Sequence, residues 1–131
     1  MTNPFEDIET FATACDQPAS IKTYKMYLGL IDEEFNELLD AVTIENKVEQ
    51  LDALIDILVV TMGAIRAAGW DGEAAWREVM NTNFAKIDPE TGKVIKRADG
   101  KDDHRLIRPI HRHVRPPGLS SHAKVACRQV W

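Results

Sequence analysis
A chain of 131 residues supplies one domain's worth of material, and shares of 44% apolar and 28% charged residues place it among globular proteins. All 21 acids lie at or before Asp103, where they face ten Lys and Arg; the resulting formal charge of −11 argues against binding to a nucleic-acid backbone, though not against a phosphate ligand bridged by a divalent cation. The acidic start lacks a basic and apolar signal pattern, and the longest apolar stretch, 55–68, is broken by Asp56, Gly63 and Arg66, so no membrane role is expected and the expected location is cytoplasmic.

Four helices are predicted. The first covers about 4–15, with Asn3 as N-cap, Pro4 at the first helical position and an apolar stripe of Phe5, Ile8, Phe11 and Ala12. Asp16-Gln17-Pro18 ends it. The second covers about 21–43 behind Ser20. Its Tyr24, Tyr27, Leu28, Ile31, Phe35, Leu38, Leu39 and Val42 recur at steps of three and four, the pattern of an amphipathic helix. Glu33, Glu37 and Asp40 fall on the opposite face and Glu34 on a flank. The third covers about 47–68, from Asn46 to a stop at Gly69. From Leu51 onward it is apolar nearly all round and should be buried; four helices offer little to cover it, so a dimer is expected.

The fourth helix covers about 72–87 behind Asp71, with Ala75, Trp76, Val79 and Phe84 as its inner face. Residues 88–101 read as polar turns with room for a short hairpin. Beyond them, 104–131 hold six Arg and Lys, all four histidines and no acid. This segment has no sustained period and is expected to be a poorly ordered tail. Cys15 and Cys127 lie far apart and read as reduced thiols.

The acids carry the chemistry. Glu33, Glu34 and Glu37 stand at steps of one, three and four, so Glu37 is within reach of both others on a helix. On the third helix Glu49, Asp52 and Asp56 share one edge. No Lys or Arg occurs from 26 to 46, although six acids do. Asp56 sits among Leu54, Ile55, Ile57 and Leu58, where an unpartnered carboxylate is unfavourable. A shared Mg²⁺ would meet both problems, because hard cations take carboxylate oxygens. A solvated acidic face, or pairing of Asp56 with Arg66 or a lysine, would meet them equally.

Four segments in this order resemble the MazG-like pyrophosphohydrolases, a superfamily that includes the dimeric dUTPases and phosphoribosyl-ATP pyrophosphohydrolase. LIDEEFNEL is similar to the family's EExxE helix. ALIDILVVTMGAIRAAGWD resembles its next helix, with a hallmark Asp, an apolar run and a late glycine. EVMNTNFAK resembles its Asn- and Lys-bearing helix, and KRADGK its R-x-D-G-K turn. The resemblance covers residues 5–101. It implies an all-α, four-helix MazG-like bundle forming a homodimer or dimer of dimers. The catalytic domain would be 1–101, followed by a basic His- and Arg-containing tail, 102–131.

The implied reaction is hydrolysis of a nucleoside triphosphate to monophosphate and pyrophosphate, clearing unwanted nucleotides. It implies Glu33, Glu34, Glu37 and Asp56 as catalytic residues and Mg²⁺, or Mn²⁺, held by Glu34, Glu37, Asp52 and Asp56. Glu33 would orient or deprotonate the attacking water. Asn83, Lys86 and Lys101 would meet sugar or phosphate. Gln17 has the donors and acceptors to read a base edge, or is a plain turn residue. Phe11, Tyr24, Tyr27 and Trp70 could stack a base, or simply fill the core. Lys86 could instead compensate a helix C-terminus. Two departures from the family pattern stand out: Ala53 occupies the usual Glu position of the third helix, with Asp52 one residue earlier, and the tail replaces Lys-Pro-rich sequence. The competing function is a non-enzymatic acidic interaction module with no magnesium dependence.

Overall fold
Each helix begins where a side chain can satisfy its first free N–H groups. The computed structural model describes residues 3–95, with helices α1 (Pro4–Ala14), α2 (Ile21–Thr43), α3 (Lys47–Ala67) and α4 (Gly72–Phe84). Asn3 Oδ1 accepts from the Phe5 N–H at 3.0 Å, and Ser20 Oγ from the Thr23 N–H at 3.1 Å. Asn46 Oδ1 accepts from Val48 at 3.2 Å and Glu49 at 3.3 Å; Asp71 Oδ1 accepts from Ala74 at 2.9 Å. All four predicted caps are therefore in place. The fold class is all-α, as expected.

The first three helices end alike. One residue turns into the left-handed region and the next bonds back five positions, the Schellman arrangement. The turning residues are Asp16 (φ 54), Glu45 (φ 55) and Gly69 (φ 73). The closing bonds run from Gln17 N–H to Ala12 O (2.9 Å), Asn46 N–H to Ala41 O (3.0 Å) and Trp70 N–H to Ile65 O (3.2 Å). Only Gly69 adopts this conformation without a Cβ penalty.

A linker of three residues folds α3 back along α2. Gln50 Nε2 donates to Ala41 O at 3.3 Å, and the Tyr27 ring packs on Gly63. These two contacts fix an antiparallel register in which paired residue numbers sum to about 90, and Glu34 faces Asp56. The seam is made of small residues: Ala41, Ala53, Val60, Gly63, Ala64 and Ala67 are buried, with Tyr27 as the large side chain among them. Tyr24, Leu30 and Ile31 pack beside that cluster. The predicted α2 stripe is therefore rotated. Phe35, Leu39 and Val42 stay exposed, and Glu34, about 20° from Tyr27 around the helix, lies in the seam rather than on a flank. On α3, Leu51 (62% exposed), Leu54, Ile55 and Leu58 are likewise exposed among the described residues, against the expectation of a buried helix.

Helix α1 docks on α3 through Ala12, which is 1% exposed, and through Arg66. The Arg66 guanidinium donates to both Glu9 oxygens (2.6 and 3.1 Å) and to Gln17 O (2.9 Å). Arg66 is thus engaged with α1 and its following loop, and the alternative that it partners Asp56 falls away.

Two compact units divide at Ala74/Ala75. The first holds α1 to α3 and the start of α4. In the second, α4 has no fully buried residue, and Trp76 and Phe84, predicted to face inward, are exposed. The helix ends three residues before its predicted limit, and Ile87 and Val94 then pair in one antiparallel bridge, a minimal form of the expected hairpin. Gly92 (φ 66) makes its turn. Among the described residues no helix is long and apolar enough to cross a membrane. The proposed boundary at 101/102, Lys101 and the tail lie outside the described residues.

Candidate active site
The α2–α3 register carries the acids to one place. Positions 27, 34 and 41 follow one another at seven-residue steps along the α2 seam, as do 49, 56 and 63 on α3. Glu34 and Asp56 thus occupy seam positions that neighbouring turns fill with Tyr27, Ala41 and Gly63. Glu33 and Glu37 flank Glu34 on α2, both exposed. Asp52 is exposed as well, one residue from Ala53, which is buried in the seam. A single residue step turns the helix by about 100°, so Asp52 does not occupy the position of the family's Glu but lies to one side.

Glu34 records the result. Its Oε2 is buried and has no hydrogen-bond partner among the described residues, although the residue as a whole keeps some exposure. Its carboxyl is pushed above the usual range, first by desolvation and then by the charges of Glu37, Asp56, Glu33 and Asp52, in that order. Among the described residues no lysine or arginine answers them: the ion pair there is Arg66–Glu9 (2.6 Å), elsewhere on α3. The acids share one electrostatic neighbourhood without closing into a cage. Among the described residues, no three acid, histidine or cysteine side chains stand close enough to hold a metal ion.

Other nominated residues are placed as follows. Gln17 accepts a 2.6 Å hydrogen bond from the Tyr27 hydroxyl at Oε1, so its amide NH₂ is the part left to act. In the second unit, Lys86 Nζ donates to Asn83 Oδ1 at 3.2 Å, pairing these two side chains. Tyr24 and Trp70 pack edge to face on each other, with centroids 5.7 Å apart, while Tyr27 is core and Phe11 is exposed. A groove of about 450 Å³, lined by Phe5, Ile8, Ile65 and Trp70, lies near the C-terminal end of α3. Arg66 on its wall is ten residues, or roughly 15 Å of helix, from Asp56, so the groove and the acids are distinct.

Sequence reasoning missed the Arg66–Glu9–Gln17 tether and the Tyr27–Gly63 contact. A signal for each existed. Arg66 is the one cation within the mostly apolar stretch 55–68, and Gly63, Ala64 and Ala67 of α3 stand at steps of three and four.

No curated protein and no solved structure is significantly similar to the chain. The family model described as phosphoribosyl-ATP pyrophosphohydrolase matches residues 9–83, more than half of the chain, and takes in both acidic helices and Asn83. The match supports a pyrophosphohydrolase-type activity on nucleotides. With the helical architecture and the acid-bearing seam, it establishes that this chain belongs to the phosphoribosyl-ATP pyrophosphohydrolase family, within the MazG-like all-α pyrophosphohydrolase superfamily.

Proposed function
We propose that the chain is a Mg²⁺-dependent hydrolase that converts a nucleoside or deoxynucleoside triphosphate to its monophosphate and pyrophosphate, in the manner of a nucleotide-pool house-cleaning enzyme. The observation that carries this reading is the buried, unpartnered Oε2 of Glu34 in the middle of four other carboxylates. An ionised carboxylate so placed is relieved by protonation or by a cation, and among the described residues no cationic side chain pairs with it. An all-oxygen donor set with solvent beside it suits a hard dication, Mg²⁺ or Mn²⁺. Glu34, Glu37, Asp52 and Asp56 would hold it, their side chains closing on the ion from the open arrangement described above. When bound, the ion supplies the positive charge that lets a polyphosphate approach an acidic surface and makes water more acidic.

The chain's own residues do the rest. Glu33, exposed beside Glu34, takes the proton of the attacking water. The water oxygen bonds to phosphorus, one phosphoanhydride bond breaks, and pyrophosphate leaves with the bond's electron pair. Lys86 and Lys101 meet phosphate charge. Asn83, its carbonyl held by Lys86, offers its NH₂ to a sugar or phosphate oxygen, and Gln17 offers its free NH₂ to a base edge. A second substrate has specific support in the family's own description: phosphoribosyl-ATP, cut at the same type of bond. The exposed apolar side chains of α2 and α3 support assembly as a homodimer or dimer of dimers; the proposed location is the cytoplasm.

The test is a panel of nucleoside triphosphates, common and modified, together with phosphoribosyl-ATP. Each is incubated with and without Mg²⁺ and the products are separated by chromatography. Monophosphate and pyrophosphate from a triphosphate, only with Mg²⁺, are expected. Turnover of phosphoribosyl-ATP alone would move the substrate to the second reading. A panel inert throughout would overturn the enzymatic reading in favour of an acidic interaction module.

A further inference from the structure
The geometry points to Tyr27 and Gly63 as a positioning pair that sets the α2–α3 spacing at which Glu34 and Asp56 face each other. The inference rests on the reading of those acids as a cation site. Tyr27 is 7% exposed, and its ring lies directly on the bare Cα of Gly63. A Cβ built there would overlap the ring, with Cζ only 2.6 Å away. The ring cannot simply swing aside. Its hydroxyl is tied to Gln17 Oε1 at 2.6 Å, and Gln17 O is held in turn by Arg66 at 2.9 Å. Val60, Ala64 and Ala67 share its buried cluster.

This contact lies seven residues from Glu34 along α2 and seven from Asp56 along α3. That is two helical turns, roughly 10 Å, on each. Helices are stiff over such a length, so the separation set at the ring carries to the acids. Beyond the acids, the small buried Ala41 and Ala53 keep the helices close. The acids thus sit between two close approaches. Only one of them, ring on glycine, has a side chain large enough to prop the helices apart. Neither residue touches the reacting groups; both act through the carboxylates.

The test measures Mn²⁺ uptake by the full chain without nucleotide, from the electron paramagnetic resonance of free Mn²⁺. Circular dichroism and melting temperature run in parallel. Wild type is expected to bind Mn²⁺, and Gly63→Ala to bind it about tenfold more weakly, the scale found when residues that orient metal ligands are changed. Gly72→Ala is the matched control. Its Cβ would meet Phe5 at 2.6 Å and Ile65 at 2.9 Å, a comparable steric insult away from the α2–α3 seam. It is expected to lower the melting temperature yet leave Mn²⁺ affinity unchanged. Gly63→Ala/Tyr27→Leu makes room for the added methyl and is expected to bring affinity back to within about threefold of wild type.

Undiminished affinity in a folded Gly63→Ala overturns the inference alone, as does equal weakening in Gly72→Ala. Should Gly63→Ala fail to fold, a folded double variant that binds as weakly as Glu34→Gln overturns it. Absence of Mn²⁺ uptake by wild type overturns the cation-site reading and this inference with it.

Discussion
Glu34 and Glu9 show how one residue type takes opposite signs in one small fold. Glu34 has its carboxyl raised by desolvation and by four neighbouring acids, so ionising it works against the folded state. Its stabilising protonated form is lost as pH rises from the ordinary glutamate value through the higher folded one. Glu34→Gln should therefore raise the metal-free melting temperature at neutral pH by roughly 1–3 °C, the scale of one relieved like-charge helical pair. Mg²⁺ is expected to raise the wild-type melting temperature further, and Glu34→Gln to abolish that rise. Scanning calorimetry with and without the ion checks both, and a Mg²⁺ response kept in the variant would count against the site. Glu9 is the mirror case. The Arg66 hydrogen bond holds its carboxyl below the usual range, so its contribution is present above the unfolded value and fades as pH falls through the lower folded one. Glu9→Gln should be less stable than wild type at neutral pH, with the gap closing in acid; urea titrations across pH measure it. The pair is mostly exposed on the Glu9 side, so the gap should be small, about 0.5 kcal/mol.

Helix termini were legible in the sequence because capping is local chemistry. Asn3, Ser20, Asn46 and Asp71 each announce a start, and all four starts are found. The stops after α1 and α2 were legible too, at Asp16-Gln17-Pro18 and at Thr43, although Asp16 and Glu45 occupy turns that favour glycine. This leaves strain of about 1 kcal/mol at each. Glu45→Gly should stabilise the protein by about 0.5–1 kcal/mol, since it relieves the left-handed residue and removes a negative charge from the C-terminal end of α2. Chemical denaturation measures the change, and a loss of stability would show that the Glu45 side chain has a role that its exposed position hides. The face that α2 buries was read less well. Bulky apolar residues drew the stripe towards Phe35, Leu39 and Val42, whereas the actual seam follows Tyr27, Glu34 and Ala41. Small residues permit closer helix approach than large ones, and a hydrophobic pattern that weighs size overlooks them. The acids of the site could be named from spacing and resemblance. Their side-chain arrangement could not, because it depends on an α2–α3 register fixed by tertiary contacts, Gln50 on Ala41 and Tyr27 on Gly63, that spacing along one helix does not reveal.

On the scale of the whole molecule, the uncovered apolar side chains are the largest unsettled account. Leu51, Leu54, Ile55 and Leu58 on α3, with Phe35, Leu39 and Val42 on α2, would leave an extensive apolar surface in water if the chain stayed alone. Leu58→Glu should shift the chain towards monomer and lower its melting temperature, which in wild type should rise with protein concentration. Sedimentation velocity across a hundredfold concentration range reads the first effect directly. A wild type that remains monomeric throughout would remove the assembly proposal. It would leave the Glu34 neighbourhood, which lies within one chain, untouched.

The Arg66 tether has a kinetic meaning too. Its partner Glu9 lies 57 residues away in sequence, whereas α2 and α3 meet through a three-residue turn. Local pairing of that hairpin can form early, but the first helix gains its anchor only after a long loop has closed. Amide protons of α1 should accordingly exchange with deuterium through a partial opening that spares α2 and α3, and a uniform exchange rate across all three would show that they open as one.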